Sequence, residues 1–148
     1  MDAKAPPAKM TAAEVKASLR REFPQMFRGP AITIERADGG GCRLRQVFDE
    51  SLLRPGGTVS GSTLMALADF AMYVALLAAI GPVALAVTTS LSANFLSKAP
   101  PGGDLVAEAK LLKVGKRLAV GEVLLFSTAS DDLVAHMTLT YSIPPQRD

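Results

Sequence analysis

Arg54-Pro-Gly-Gly-Thr-Val-Ser-Gly-Ser-Thr-Leu-Met-Ala-Leu-Ala-Asp69-Phe-Ala-Met-Tyr73 passes from a glycine-rich turn into an apolar run that continues to Gly81-Pro82. The turn residues Pro55-Gly56-Gly57 and the stop at Gly81-Pro82 bracket a predicted helix over about Ser60 to Ala79. That helix is apolar nearly all the way round, so it belongs inside a fold rather than on its surface. Its one acid is Asp69. A carboxylate is rarely set among buried alanines and leucines unless it is paired or has chemical work to do, which makes Asp69 the first site candidate.

The run from Leu64 to Ala86 is hydrophobic enough to raise a membrane span. Against that reading, Asp69 would cost about 2.5 to 3.5 kcal/mol at a bilayer centre. The Gly81-Pro82 break also falls before the roughly 20 residues a span requires. A buried helix of a water-facing domain is the expectation.

The flanking sequence supplies what such a helix needs around it. Residues 1–10 read as a Pro/Ala/Lys tail with nothing to pack, and residues 11–148 as a single domain. Thr11-Ala-Ala-Glu14 forms a capping box that opens a helix expected from about Ala12 to Phe27, stopped by Gly29-Pro30. Ile32 to Ala37 and Cys42 to Phe48 read as a hairpin turning at Asp38-Gly-Gly-Gly41. Beyond the apolar helix, strand patterns run over Val83 to Leu96, Leu105 to Val114, Arg117 to Phe126 and Leu133 to Ile143. In the last, Leu133, Ala135, Met137, Leu139, Tyr141 and Ile143 alternate with more polar neighbours. The simplest arrangement is α+β: a curved antiparallel sheet wrapped around one long central helix and preceded by an N-terminal helix.

Composition removes several functional classes. The 148 residues are 49% hydrophobic and 20% charged, which suits one domain with a sizeable core. A net charge of +2, scattered cations and only six Phe and two Tyr give no footprint for nucleic acid. The lone Cys42 permits neither an internal disulfide nor a cysteine-built metal site, and with the apolar-poor start it points to the cytoplasm. No Gly-x-Ser-x-Gly elbow is present, and the only histidine, His136, falls on a polar strand face as a solvated residue. Gly56 to Thr63 echoes a phosphate-binding loop but has Ser62 where the lysine belongs. Gly39-Gly-Gly41 runs into a strand, not into the helix of a dinucleotide fold.

Three features together resemble the hotdog-fold acyl-CoA thioesterases of the 4-hydroxybenzoyl-CoA and phenylacetate-degradation type. They are the turn, helix and Asp69 spacing, the Asn94-Phe-Leu-Ser-Lys-Ala99 strand end, and the Gly115-Lys-Arg-Leu-Ala-Val-Gly-Glu-Val123 hairpin. The resemblance covers about residues 30 to 143. In that family the central helix opens on His-Gly-Gly, with an active-site acid eight residues after the first glycine. Gly61 and Asp69 reproduce the spacing, while Ser60 stands in place of the histidine and Ser62 in place of the second glycine. The resemblance implies thioester hydrolysis without metal or prosthetic group, coenzyme A entering only as part of the substrate. It also implies a homo-oligomer, a dimer or a tetramer, with sites at the subunit interface, and Thr88 and Thr89 facing the partner's acid.

The chemistry of such a site follows from its parts. A helix N-terminus carries unpaired N–H groups and about half a positive charge, suited to an oxygen that becomes negative as a thioester carbonyl is attacked. The candidates are the N–H groups of Gly61 and Ser62, with Gly57 and Gly61 allowing close approach of a flat acyl-thioester. Asp69 would serve as general base or nucleophile. It lies about 12 Å further along the same helix, too far to share one carbonyl with Gly61. Tyr73, one turn on, could give it a hydroxyl partner. Lys98, Lys113, Lys116 and Arg117, at strand ends and turns, are candidates for coenzyme A phosphates, Asn94 is a further substrate-binding candidate, and Ser60, at the family's histidine position, is a candidate for the chemistry itself. Arg54, beside the helix start, is a candidate for a phosphate or for Asp69 across an interface. The competing function is a non-catalytic acyl-CoA or acyl-carrier-binding module; a dehydratase of the same fold would want a histidine where Ser60 stands.

Overall fold

The computed structural model describes residues 7–145. Most of the expected tail, residues 1–6, lies outside the described residues. Its end does find a partner: the Lys9 and Met10 N–H groups both donate to the Ala78 carbonyl, 2.8 and 3.2 Å away. Helix α1 covers Ala12–Glu22 and opens on the expected capping box, with Thr11 and Glu14 satisfying each other's backbone N–H. It ends five residues short of the expected Phe27, because proline disfavours the helical conformation in the residue before it and has no N–H to give. Pro24–Phe27 instead forms a 3-10 turn. The Arg20 guanidinium lies 5.0 Å over the Phe27 ring and ties that turn back to α1.

The hairpin is β1 (Ile32–Ala37) and β2 (Gly41–Gln46). A short 3-10 turn over Glu50–Leu52, capped by Asp49, follows where the sequence showed only loop. Helix α2 spans Gly61–Ile80, one residue later at each end than expected, with Gly81 closing it. The strand expected from Val83 is shorter at both ends: β3 is Val87–Phe95, and residues 81–86 form a connecting loop. The strands β4 (Leu105–Val114), β5 (Leu118–Ser127) and β6 (Leu133–Ser142) fall within a residue of expectation.

All six strands form one antiparallel sheet in the order β1-β2-β4-β5-β6-β3. The alternation read from β6 holds, with Ala135, Met137, Leu139 and Tyr141 all buried. These residues and their counterparts on β2, β4 and β5 close around α2, whose Leu64, Leu67, Met72, Val74 and Leu76 sit in the middle of the core. This is the hotdog architecture. By length and composition α2 could cross a membrane, yet most of it is buried inside this sheet.

One stripe of α2 escapes the sheet. Ser62, Ala66, Asp69 and Tyr73, at helical spacing, are exposed or half-buried. The helix is therefore not enclosed on every side as its composition suggested, and Asp69 lies on its open side. The strand beside that opening, β3, is an edge of the sheet, with one row of backbone groups unpaired.

Candidate active site

Three elements converge on Asp69. Thr88, at the start of β3, donates from Oγ1 to Asp69 Oδ1 at 2.5 Å. Tyr141, near the end of β6, brings its hydroxyl to 2.7 Å from the same oxygen and 3.0 Å from the Asp69 backbone carbonyl. Two hydroxyls thus fix the carboxylate through Oδ1, and among the described residues Oδ2 receives no hydrogen bond. Burial above all raises the Tyr141 hydroxyl far beyond the usual tyrosine range; a hydrogen bond with Thr88 opposes it, and the hydrogen bond to Asp69 and the charge of that carboxylate add to the rise. Tyr141 is accordingly held as a proton donor at any physiological pH.

Asp69 opens onto a cavity of about 390 Å³. Its walls are Phe70 and Tyr73 of α2, Ala84 and Ala86 of the 81–86 loop, and Phe23 and Met26 at the end of α1. Glu22 adds a second carboxylate to the lining. A largely apolar chamber with a few convergent polar groups has the make-up of a small-molecule site, and its volume lies in the usual range.

The sequence candidates divide clearly in this geometry. Asp69 and Thr88 meet, but within one chain: the Thr88 hydroxyl is engaged by its own Asp69 rather than by a partner's. Thr89 does not join them; a register shift separates it from Thr88, and its hydroxyl reaches the Thr140 carbonyl at 3.3 Å. Tyr73 is not the hydroxyl partner of Asp69. Its OH donates to the Ala84 carbonyl at 3.1 Å and its ring stacks on Tyr141 at 6.1 Å between centroids. Tyr141 was missed as a site residue, although its inward position in the β6 alternation marked it as a buried tyrosine in need of a partner.

The turn before α2 is built as read. The Gly57 N–H donates to the Arg54 carbonyl at 3.1 Å, and Gly57 adopts φ +82°, a conformation that favours glycine. Ser60 is the helix N-cap: its Oγ accepts from the Thr63 N–H at 3.1 Å and lies 3.2 Å from Ser62 Oγ and 2.8 Å from Thr63 Oγ1. Its hydroxyl is committed to the helix end, which answers the position's departure from histidine with a structural role. Gly61 faces Phe95 of β3, whose Cζ would stand 3.3 Å from any Cβ placed there.

The remaining candidates lie away from this chain's Asp69. Arg54, Asn94, Lys98, Lys113, Lys116 and Arg117 are exposed and none lines the cavity. Arg117 also donates from Nε to the Ile143 carbonyl at 3.1 Å. Asn94 sits on β3 beside Phe95, at the far end of the strand from Thr88. His136 is not simply solvated; it is half-buried and pairs through Nε2 with Glu122 at 3.1 Å, well outside the Asp69 site.

Fold and site define a hotdog protein with a helix-borne, hydroxyl-anchored carboxylate at the mouth of an apolar chamber. The chain belongs to the thioesterase superfamily, whose family model matches residues 56–135. It is 44% identical to a "putative thioesterase" from Silicibacter sp. TM1040, whose crystal structure superimposes with a TM-score of 0.83 over 93% of this chain and 94% of that one. It is 31% identical over 114 residues to the "Putative esterase SSO1253" of Saccharolobus solfataricus, covering 77% of this chain and 73% of the relative. A Streptococcus mutans protein crystallised with acetyl-CoA shares the fold at 19% identity, with a TM-score of 0.71 over 80% of this chain and 92% of that one.

Proposed function

We propose that this protein hydrolyses an acyl-CoA thioester to a carboxylate and free coenzyme A, with Asp69 as general base or nucleophile. The observation that carries the reading is the Asp69 carboxylate itself. Thr88 and Tyr141 hold it by one oxygen, its other oxygen has no donor among the described residues, and an apolar chamber large enough for an acyl group opens beside it. Family membership supports thioester cleavage, and the fold neighbour's acetyl-CoA suits coenzyme A as the carrier.

The two halves of the chemistry are separated in one chain and joined in two. Gly61 and Asp69 are about 12 Å apart along α2. Strand β3 runs between the same two places: Thr88 at one end stands beside Asp69, and Phe95 at the other, about 23 Å along the strand at its rise per residue, packs by Gly61. If the free edges of two β3 strands pair antiparallel about a two-fold axis near Leu91 and Ser92, the ends exchange. The partner's Phe95 then lies beside Thr88, and the partner's helix N-terminus beside Asp69. Val87 and Phe95, 55% and 52% exposed in the single chain, would be covered. A homodimer therefore completes two sites, each with an acid from one chain and backbone N–H groups of Gly61 and Ser62 from the other. Asn94 and Lys98 arrive with that second helix start, which suits them to the coenzyme. Arg54 and Gly57, in the turn before it, serve the same end.

In the base mechanism, Asp69 takes a proton from water as the water oxygen attacks the thioester carbon. The carbonyl oxygen becomes negative against the helix N-terminus, the C–S bond breaks, and the coenzyme A thiolate leaves and takes up a proton. In the nucleophile mechanism an Asp69 oxygen attacks the thioester carbon and the C–S bond breaks, so that coenzyme A leaves as the thiolate and takes up a proton; water then cleaves the resulting mixed anhydride to the product acid and the Asp69 carboxylate. Neither step calls on a group outside the two chains, the substrate and water.

The test is thiol release from short, medium, branched and aryl acyl-CoAs by the wild type and by Asp69→Asn. Turnover that falls about 10²- to 10⁴-fold in the variant supports the reading. Equal turnover by both proteins removes Asp69 from the reaction, and silence across the panel with acyl-CoA still bound leaves a binding module instead.

A further inference from the structure

The wall of the Asp69 cavity facing α1 is not part of the segment that the family model matches, which begins at residue 56. It is made by Phe23 and Met26, where Pro24 ends α1 and starts the 3-10 turn. Met26 also lines a second, smaller cavity of about 150 Å³, with Ile32 of β1, Gln46 of β2, Leu52, and Thr63 and Leu67 of α2. The two cavities share two residues, Met26 and Ala66. Met26 on the 3-10 turn and Ala66 on the open stripe of α2 thus form a wall common to both chambers.

The partition has a fixed side and a soft one. The turn is anchored by the α1 capping box, by Val15 and Leu19 buried in the core, by the Phe23 N–H bond to the Leu19 carbonyl at 2.7 Å, and by the Arg20 guanidinium over Phe27. The Met26 side chain is unbranched, flexible and only half-buried, so it is the part able to fill or vacate the gap. Ala66, with a single methyl group, leaves room for it.

We propose that Met26 is the specificity-determining residue of the site, closing the floor of the acyl chamber against Ala66 and so setting the length of acyl chain accepted. This rests on the acyl-CoA reading of the Asp69 site. The smaller cavity is about the size that holds a benzene ring in a protein core, so opening it lengthens the chamber by roughly six carbons. Met26→Ala opens the partition, and Ala66→Leu, set opposite, closes it again.

The test measures affinity for a series of non-hydrolysable S-alkyl thioethers of coenzyme A, from butyl to hexadecyl, alongside kcat/KM for the matching acyl-CoAs. The wild type should show a length optimum. Met26→Ala should move that optimum to longer chains, raising the long-to-short ratio of affinities at least tenfold, the scale on which apolar pockets discriminate. Met26→Ala combined with Ala66→Leu should return it towards the wild type. Superimposable length profiles in wild type and Met26→Ala overturn the role given to Met26 while leaving hydrolysis standing. Thioether binding without turnover overturns hydrolysis while the length profiles still decide the role of Met26. No binding of any member overturns the acyl-CoA reading and this inference with it.

Discussion

The Tyr141 hydroxyl stands 2.7 Å from the Asp69 carboxylate and 3.0 Å from the Asp69 backbone carbonyl, so one phenol is registered against both the side chain and the main chain of the same residue. The relationship locks strand β6 to helix α2 at the point where the carboxylate must be aimed. Thr88 approaches the same Oδ1 from β3, and three elements far apart in sequence are held at one atom.

Tyr141→Phe and Thr88→Val should each leave the protein folded, with a stability loss of about 1 kcal/mol per lost bond. Each frees the carboxylate to rotate. The expected outcome is a kcat lowered about 10- to 100-fold with KM little changed, since misplacement by an ångström is enough for that. The double variant should lose less than the product of the two, because both hydroxyls act on one oxygen. Steady-state kinetics on any turned-over acyl-CoA reads this directly.

Ser60→Ala tests whether the residue at the family's histidine position acts in the chemistry or on the helix. Its Oγ caps α2 through the Thr63 N–H. The expected result is a loss of about 1 kcal/mol, which for a chain of this size is a melting temperature lower by about 2–4 °C. Turnover should fall far less than in Asp69→Asn. A loss of activity as deep as that of Asp69→Asn, at unchanged stability, would return Ser60 to the catalytic machinery.

Phe95→Asp places a charge on the free edge of β3, beside Gly61. Sedimentation should show a wild-type dimer and a monomeric variant, with turnover lost in parallel even though Asp69, Thr88 and Tyr141 are untouched. A monomeric wild type with full activity would sink the shared site.

Single-turnover hydrolysis in oxygen-18 water separates the two roles left to Asp69. Label found only in the released acid rules out an anhydride that water opens at the Asp69 carbonyl. Label found in the Asp69 carboxylate means an anhydride intermediate.

Acid sensitivity should trace partly to the β1–β2 turn. Burial alone would raise the Asp38 carboxyl, but the Gly40 N–H, the Arg36 guanidinium and the Gly41 N–H outweigh it and hold it below the ordinary carboxylate range. A group whose folded value is depressed adds stability above its unfolded value, about 3.8 here, and that stability fades as pH falls through the folded value. Asp38→Asn should therefore melt slightly below the wild type at neutral pH, with the two curves converging below about pH 4. The effect is small, as expected for a solvated turn.

The β4 to β6 strands were legible because alternation over ten residues leaves one answer for which face is buried. Helix α2 was legible because Ser60 caps it, Gly81 ends it and nothing charged interrupts it but Asp69. The N-terminal helix was overextended because the apolar spacing runs on through Met26 and Phe27, and Pro24 outweighs it. The strand before Asn94 was overextended because Val83 to Ala86 is as apolar as a strand, yet the segment is a loop from which Ala84 and Ala86 line the cavity.

Sequence alone determined that this chain has one long core helix, a hairpin and three or four further strands to cover it, and a single acid on that helix at a set distance from its start. Periodicity, caps and helix rise are local properties, and they suffice for those conclusions. Tertiary structure decided which hydroxyl meets the acid, that the helix keeps one side open, and that a proline-made turn walls the chamber there. Tyr141 is 72 residues from Asp69 and Thr88 is 19. Contacts at such separations are set by sheet order and register, which no local pattern encodes.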